Sequence, residues 1–137
     1  ITFPPASFIE FTAFIELIQA KRNHFTQGVV HCFTGTCQEA KDYLDLDLHI
    51  GLTGWICDER RGYHMHDFIS KIPLDRLMIE TDAPYLVPRD IKPRPSRNEP
   101  AFLRHIANRL ASIYKIPEAQ FIEQVTKTTR DFYQIKS

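Results

Sequence analysis

Glu80 and Asp82 stand two residues apart at the end of the run Leu77-Met78-Ile79-Glu80-Thr81-Asp82. On a strand this run alternates, so Leu77, Ile79 and Thr81 share one face while Met78, Glu80 and Asp82 share the other. Two carboxylates beyond the carboxyl end of a parallel strand lie where ligand sites of α/β proteins gather. By the same alternation His31 shares a face with Val29 and Phe33. A neutral imidazole nitrogen and hard carboxylate oxygens at the ends of two such strands can coordinate a divalent cation and present water as a nucleophile. The competing assignments are structural: a satisfied core histidine, and a Glu80 paired with a neighbouring arginine. His64 and His66 form an HxH, but in the first turn of a helix residues two apart do not share a face, so they are not expected to hold a metal together.

Three loops follow the expected strand ends. The first is Thr34-Gly35-Thr36, the second runs from Gly54 to Gly62 with Trp55, Arg60 and Arg61, and the third runs from Ala83 to Arg97 with Arg89, Lys92, Arg94 and Arg97 against one acid, Asp90. That local positive excess beside the carboxylate face suits a phosphodiester, with Trp55 and Tyr85 available for base stacking. The plain alternative is a solvated basic surface.

The elements that must position these groups can be read from the apolar spacing. Ser7 and Glu10 form a capping box for a helix to about residue 22, with Phe8, Phe11, Phe14, Ile15 and Ile18 on its buried face. A strand over 28–33 follows, then a helix capped by Thr36 and Glu39 that runs through Leu44, and a strand over 48–53. Met65, Phe68, Ile69 and Ile72 at i, i+3, i+4 and i+7 predict a helix ending before Pro73, ahead of the strand Leu77 to Glu80. Pro100 and Pro117 each open a further helix. Strands alternating with helices define an α/β chain with a parallel sheet.

The chain has 137 residues, 17 Lys and Arg against 17 Asp and Glu, and 43% hydrophobic content, the composition of one globular domain, with no global charge to draw nucleic acid. No apolar run approaches the roughly 18 residues of a membrane span, and Ile1 to Pro5 lacks the features of a signal peptide. Cys32, Cys37 and Cys57 form no CxxC pair and are expected as reduced, buried thiols, which places the chain in the cytoplasm or nucleus.

The order and spacing of His31-Cys32-Phe33-Thr34-Gly35, Gly51-Leu52-Thr53-Gly54-Trp55, Glu80-Thr81-Asp82-Ala83-Pro84-Tyr85-Leu86 and Arg97-Asn98-Glu99-Pro100 resemble the carboxyl-terminal half of the TatD-type metal-dependent deoxyribonucleases, over about residues 27 to 133. The resemblance implies an amidohydrolase-like TIM barrel that cleaves DNA with a divalent metal, typically magnesium, often as an exonuclease. By this resemblance His31 and Asp82 are metal ligands, and Asp82 also deprotonates the attacking water. Glu80, Arg97, Asn98 and Glu99 match positions lining or supporting the same face, and Arg60, Arg61 and Arg89 complete the expected substrate-binding set.

The family's amino-terminal HxH, its middle-strand glutamate and its fifth-strand histidine have no counterpart here, where Ile1 to Ser7 reads ITFPPAS; two of about six ligand positions remain. Asp47 stands in place of a helix-ending glycine and Thr128 near a usual asparagine. A closed barrel takes about 250 residues, and this sequence offers three evident strands, so the expectation is a single-domain partial TIM barrel whose open edges self-associate or pair with an amino-terminal half. The first functional reading is a magnesium-dependent DNA phosphodiesterase; the second is an inactive binding or pairing module without a complete metal site, favoured if no further carboxylate or histidine approaches His31 and Asp82. A small-molecule amidohydrolase is disfavoured by the basic loops.

Overall fold

The computed structural model describes the backbone of residues 2–3 and 8–136, with side chains from Phe11 onward. The strands are β1 (Thr2–Phe3), β2 (Val29–Val30), β3 (His49–Leu52) and β4 (Leu77–Ile79); the helices are α1 (Phe8–Lys21), α2 (Cys37–Asp45), α3 (Leu103–Tyr114) and α4 (Glu118–Tyr133). All strand pairs are parallel, and their order in the sheet is β1-β2-β3-β4. Neighbours in sequence are neighbours in space throughout, which is the winding of a barrel arc; a doubly wound sheet reverses its order. The described part is therefore a partial TIM-like barrel.

β1 is a fourth strand beyond the three evident in the sequence. Two residues are too few for alternation to show, and only the register Thr2 to Val29 and Phe3 to Val30 defines it. The other strands are shorter than their apolar runs, because pairing stops where the chain turns toward the site.

Val30, Leu48, Ile50, Leu52 and Leu77 are fully buried and share one core with Ile106, Leu110 and Phe121 from the last two helices. On the other flank Tyr43 of α2 gathers the edges of Phe11, Phe14 and Phe33 at 5.2, 6.1 and 6.2 Å between centroids. The Thr36–Glu39 capping box forms as expected, with reciprocal bonds of 3.2 and 2.6 Å. The Ser7 box lies outside the described residues.

Residues 65 to 72 depart from the expected α-helix. They form short 3-10 turns, Tyr63–Asp67 and Ile69–Lys71, although Met65, Phe68, Ile69 and Ile72 are all buried. Spacings of three fit a 3-10 turn as well as an α-helix. The Tyr114 hydroxyl lies 2.8 Å from the carbonyls of both Ile69 and Ile72, so α3 meets this segment at the end of its second 3-10 turn, where the Ile69 carbonyl also accepts the Ile72 N–H at 3.0 Å.

Asp47 does adopt the left-handed conformation, at φ 59°, and its carboxylate receives Arg22 at 2.9 Å and Arg76 at 2.6 Å. Thr128 donates to the Leu74 carbonyl at 2.8 Å, tying α4 to the turn that feeds β4. Among the described residues no helix is long and apolar enough to cross a membrane.

Candidate metal centre

His31 is the first residue beyond β2, and Glu80 the first beyond β4. Two backbone bonds hold their segments in line, Phe33 N–H to Gly51 O and Glu80 N–H to Leu52 O, both 2.9 Å. The Glu80 carboxylate is divided: Oε1 accepts the Cys32 N–H at 2.8 Å, and Oε2 lies 2.5 Å from His31 Nδ1. A carboxylate on Nδ1 assigns the proton there and leaves Nε2 as a free donor pair. Nε2 is 3.4 Å from Asp82 Oδ1, and the ligand atoms of His31, Glu80 and Asp82 all lie within 4.8 Å of one another. The three side chains are about one-quarter to one-third exposed, so the cluster opens to solvent. One imidazole nitrogen with carboxylate oxygens is a donor set for a hard or borderline divalent cation, and the group fits one.

Strand alternation does not deliver this arrangement. β4 ends at Ile79, and Asp82 reaches His31 from a left-handed backbone at φ 55°, as does the chain at Cys32, φ 54°. Left-handed non-glycine residues cost energy and cluster at sites that the surrounding structure over-determines. The sequence reading placed Glu80 among the residues lining or supporting the substrate face, and in the structure its carboxylate is bonded to the His31 imidazole and the Cys32 N–H. Gly51 permits this, because a Cβ there would overlap the Glu80 carboxylate.

The second and third loops meet in an open cleft of about 260 Å³ lined by Gly54, Trp55, Asp58, Arg60, Leu86, Val87, Arg89 and Arg94. Gly54 allows the approach, since a Cβ would come 2.5 Å from the Leu86 carbonyl. The positive excess is smaller than a count of the third loop suggested, because Asp58 and Glu59 of the second loop reach across. Arg60 forks onto Asp58 at 2.8 and 3.1 Å, Arg89 bonds Glu59 at 3.0 Å and lies 3.8 Å from Asp58, and Arg97 faces Glu99 at 3.4 Å. The Asp58 carboxyl, 2% exposed, is held below its ordinary range chiefly by hydrogen bonding from Arg60. It is the residue that sequence reasoning missed, and its signal was an acid two residues before the pair Arg60-Arg61. Arg61 lies over the Trp55 ring at 4.9 Å, and among the described residues Arg61, Lys92 and Arg94 have no ion pair.

Asn98 was expected at the substrate face and is 2% exposed. Its Nδ2 donates to Thr81 O and Tyr85 O, both at 2.6 Å, and lies 3.3 Å from Leu86 O, while Oδ1 accepts the Glu99 N–H at 2.9 Å. It is the internal tie of the third loop. His64 and His66 spend their Nε2 atoms on the Gly35 and Ile56 carbonyls at 3.0 and 2.8 Å, so the HxH is structural. Cys32 and Cys57 are buried thiols, pushed by burial up to about 11 and about 12; Cys37, expected buried, is exposed on the first turn of α2.

A sequentially ordered parallel arc with a histidine and two carboxylates beyond its carboxyl ends is the architecture of TIM-barrel metal-site proteins. The family described as TatD related DNase matches residues 10–134, and the chain belongs to that family. It is 51% identical over 115 residues to the 3'-5' ssDNA/RNA exonuclease TatD of Rahnella sp. (strain Y9602), covering 82% of this chain and 43% of that protein. The protein of the same name from Klebsiella pneumoniae (strain 342) is 49% identical over 115 residues, with the same coverages. In fold the chain superposes on a TatD family hydrolase from Entamoeba histolytica with TM-score 0.83 at 24% identity, over 96% of this chain and 50% of that one. A TatD homologue from Escherichia coli K12 gives 0.80 at 24% identity, over 99% and 51%. The chain thus spans less than half the length of the curated relatives it matches.

Proposed function

We propose that this chain supplies the His31–Glu80–Asp82 portion of a divalent-metal-dependent phosphodiesterase centre that hydrolyses single-stranded DNA from an end. The observation that carries the proposal is the convergence of His31, Glu80 and Asp82 at the carboxyl end of the sheet, where one ligand atom of each lies within 4.8 Å of the others and His31 Nε2 is 3.4 Å from Asp82 Oδ1. His31 Nε2 and Asp82 would hold the cation, magnesium by family resemblance. When bound, such an ion supplies charge neutralisation at the phosphate and a more acidic water.

The chain's own groups do the rest. Glu80 fixes the imidazole's tautomer and plane, a role in which loss of the carboxylate typically costs about 10–100-fold in metal affinity. Asp82 Oδ1 accepts a proton from water. Arg94 and Arg61, free of carboxylates, hold phosphate oxygens, while Arg60 and Arg89 are kept in place by Asp58 and Glu59. Tyr85, 75% exposed, offers a face for an unstacked base. Arg97 and Glu99 form the outer rim of the same loop. Membership of a family whose curated relatives are named as exonucleases gives the inactive-module reading no support, and Glu80 is the further carboxylate beside His31 and Asp82 that reading required to be absent.

The test is reconstitution: this chain joined, fused or in trans, to the amino-terminal half of a TatD relative, with magnesium and end-labelled single-stranded DNA. Stepwise cleavage is expected. Asp82→Asn should lower it by at least the ~10²-fold expected for a lost general base, with DNA binding retained. Full activity of Asp82→Asn, or none in the folded parent assembly, would overturn the proposal.

A further inference from the structure

A second set of ligating side chains converges away from His31. Cys57 closes the 3-10 turn Gly54–Cys57, Asp90 lies in the proline-rich third loop, and His105 sits in the first turn of α3. His105 Nε2 is 2.7 Å from Asp90 Oδ1, and one ligand atom from each of the three residues lies within 4.8 Å of the other two. Cys57 is 1% exposed at the floor, while the Asp90 and His105 side chains are about one-third exposed at the mouth. The donors come from three segments separated by 33 and 15 residues, so the fold, and not local sequence, assembles them.

We propose that Cys57, Asp90 and His105 form a binding site for a zinc-class divalent cation, separate from the His31–Glu80–Asp82 centre. The chemistry discriminates between the two. A sulfur, an imidazole nitrogen and a carboxylate oxygen are the tetrahedral donor set of zinc, with water or a further group in the fourth position, whereas the first cluster has nitrogen and oxygen alone and suits harder ions. Coordination replaces the S–H bond of Cys57 with a sulfur–metal bond and releases the proton to solvent. The His105–Asp90 hydrogen bond gives way to two metal bonds, a separation that the solvent-facing ends of both side chains allow. Arg109, one turn beyond His105 on α3, lends a positive charge that favours the Cys57 thiolate and moderates the affinity for a cation.

The consequence is mechanical. The third loop, which carries Arg89, Arg94 and the internal tie Asn98, has no helix or strand between β4 and the turn at Pro100–Phe102. A cation bridging Asp90 to Cys57 and His105 clamps its middle to the second loop and to α3.

Cobalt(II), added to the metal-stripped chain as a zinc surrogate, tests the site directly. A thiolate-to-cobalt charge-transfer band with tetrahedral visible absorption is expected at one equivalent, displaced by zinc. Cys37→Ser and His31→Gln should leave the band within about twofold in midpoint, while Asp90→Asn and His105→Gln, both at the accessible mouth, should weaken binding about tenfold or more. Cys57→Ser should abolish the band; if that buried change unfolds the chain, the two mouth variants still decide the matter. Zinc should also slow amide exchange over residues 86–97. Absence of a thiolate band in the folded parent, its loss in Cys37→Ser, or unchanged binding in both mouth variants would overturn the proposal and leave the trio as a hydrogen-bonded clasp.

Discussion

Asn98→Asp changes one atom pair and reverses the electrostatics of the third loop. Asn98 Nδ2 places its two N–H groups among three backbone carbonyls, at 2.6, 2.6 and 3.3 Å. A carboxylate keeps the Oδ1 contact to the Glu99 N–H but turns an oxygen toward those carbonyls. Two buried carbonyls then lose their partner, at about 1–3 kcal/mol each, and a charge is left facing dipoles of the same sign; a loss of roughly 3–5 kcal/mol at pH 7 follows. Protonation restores one O–H donor, so the introduced carboxyl has a folded pKa above its unfolded value near 3.9. A raised pKa contributes stability that is full below the unfolded value and lost as pH rises through the folded one. The deficit relative to the parent should therefore shrink on acidification from pH 7 to pH 4, by about 1.4 kcal/mol for each unit of raised pKa. Asn98→Ala should show a comparable deficit at neutral pH with no such recovery. Urea midpoints report the global loss, and amide exchange over residues 81–99 reports it if the loop opens first. Equal stability of Asn98→Asp and the parent at pH 7, or a deficit independent of pH, would refute the reasoning.

Gly51→Ala should expel the Glu80 carboxylate from its position, leaving the Cys32 N–H without its acceptor at a cost of about 1–3 kcal/mol and freeing the His31 ring, seen as loss of a downfield Nδ1 proton resonance. His49 is buried against Phe132, with centroids 4.9 Å apart, and burial holds its pKa below the ordinary 6.5. A depressed value means full stability above 6.5 and progressive loss as pH falls below it; His49→Phe should remove that slope in urea midpoints measured from pH 7.5 to 5. Among the described residues β4 has no strand beyond it, and an apolar cleft lined by Ile79, Leu103, Ala107, Ile122 and Val125 flanks it. Sedimentation should show concentration-dependent association, weakened by Ile122→Lys; a clean monomer at high concentration would contradict an open barrel edge.

The sequence disclosed most where chemistry and periodicity coincided. The Thr36–Glu39 box was legible because capping is local, and the motifs around His31 and Asp82 singled out two residues that the structure brings to 3.4 Å of each other. What was hidden is what tertiary contacts create. Alternation grouped Asp82 with Glu80, but β4 ends at Ile79 and the left-handed turn that brings Asp82 to His31 has no glycine to announce it. The role of Glu80 depends on the Cys32 N–H and the empty space at Gly51, neither of which is adjacent in sequence. Residues 65–72 satisfied a helical period, yet they form 3-10 turns, and the Tyr114 hydroxyl that meets the Ile69 and Ile72 carbonyls lies some 42 to 45 positions away. The arginine-rich rim looked more positive than it is, because Asp58 neutralises Arg60 within the second loop and Glu59 reaches Arg89 of the third.

Paramagnetic broadening by manganese(II), a hard oxygen- and nitrogen-seeking ion that stands in for magnesium, tests the central claim on the chain itself. Substoichiometric manganese should broaden the amide and side-chain resonances of His31, Glu80 and Asp82 first, magnesium should reverse the effect, and Asp82→Asn should abolish it. Broadening centred elsewhere, or unchanged by Asp82→Asn, would contradict the assignment of these residues as a divalent-metal centre.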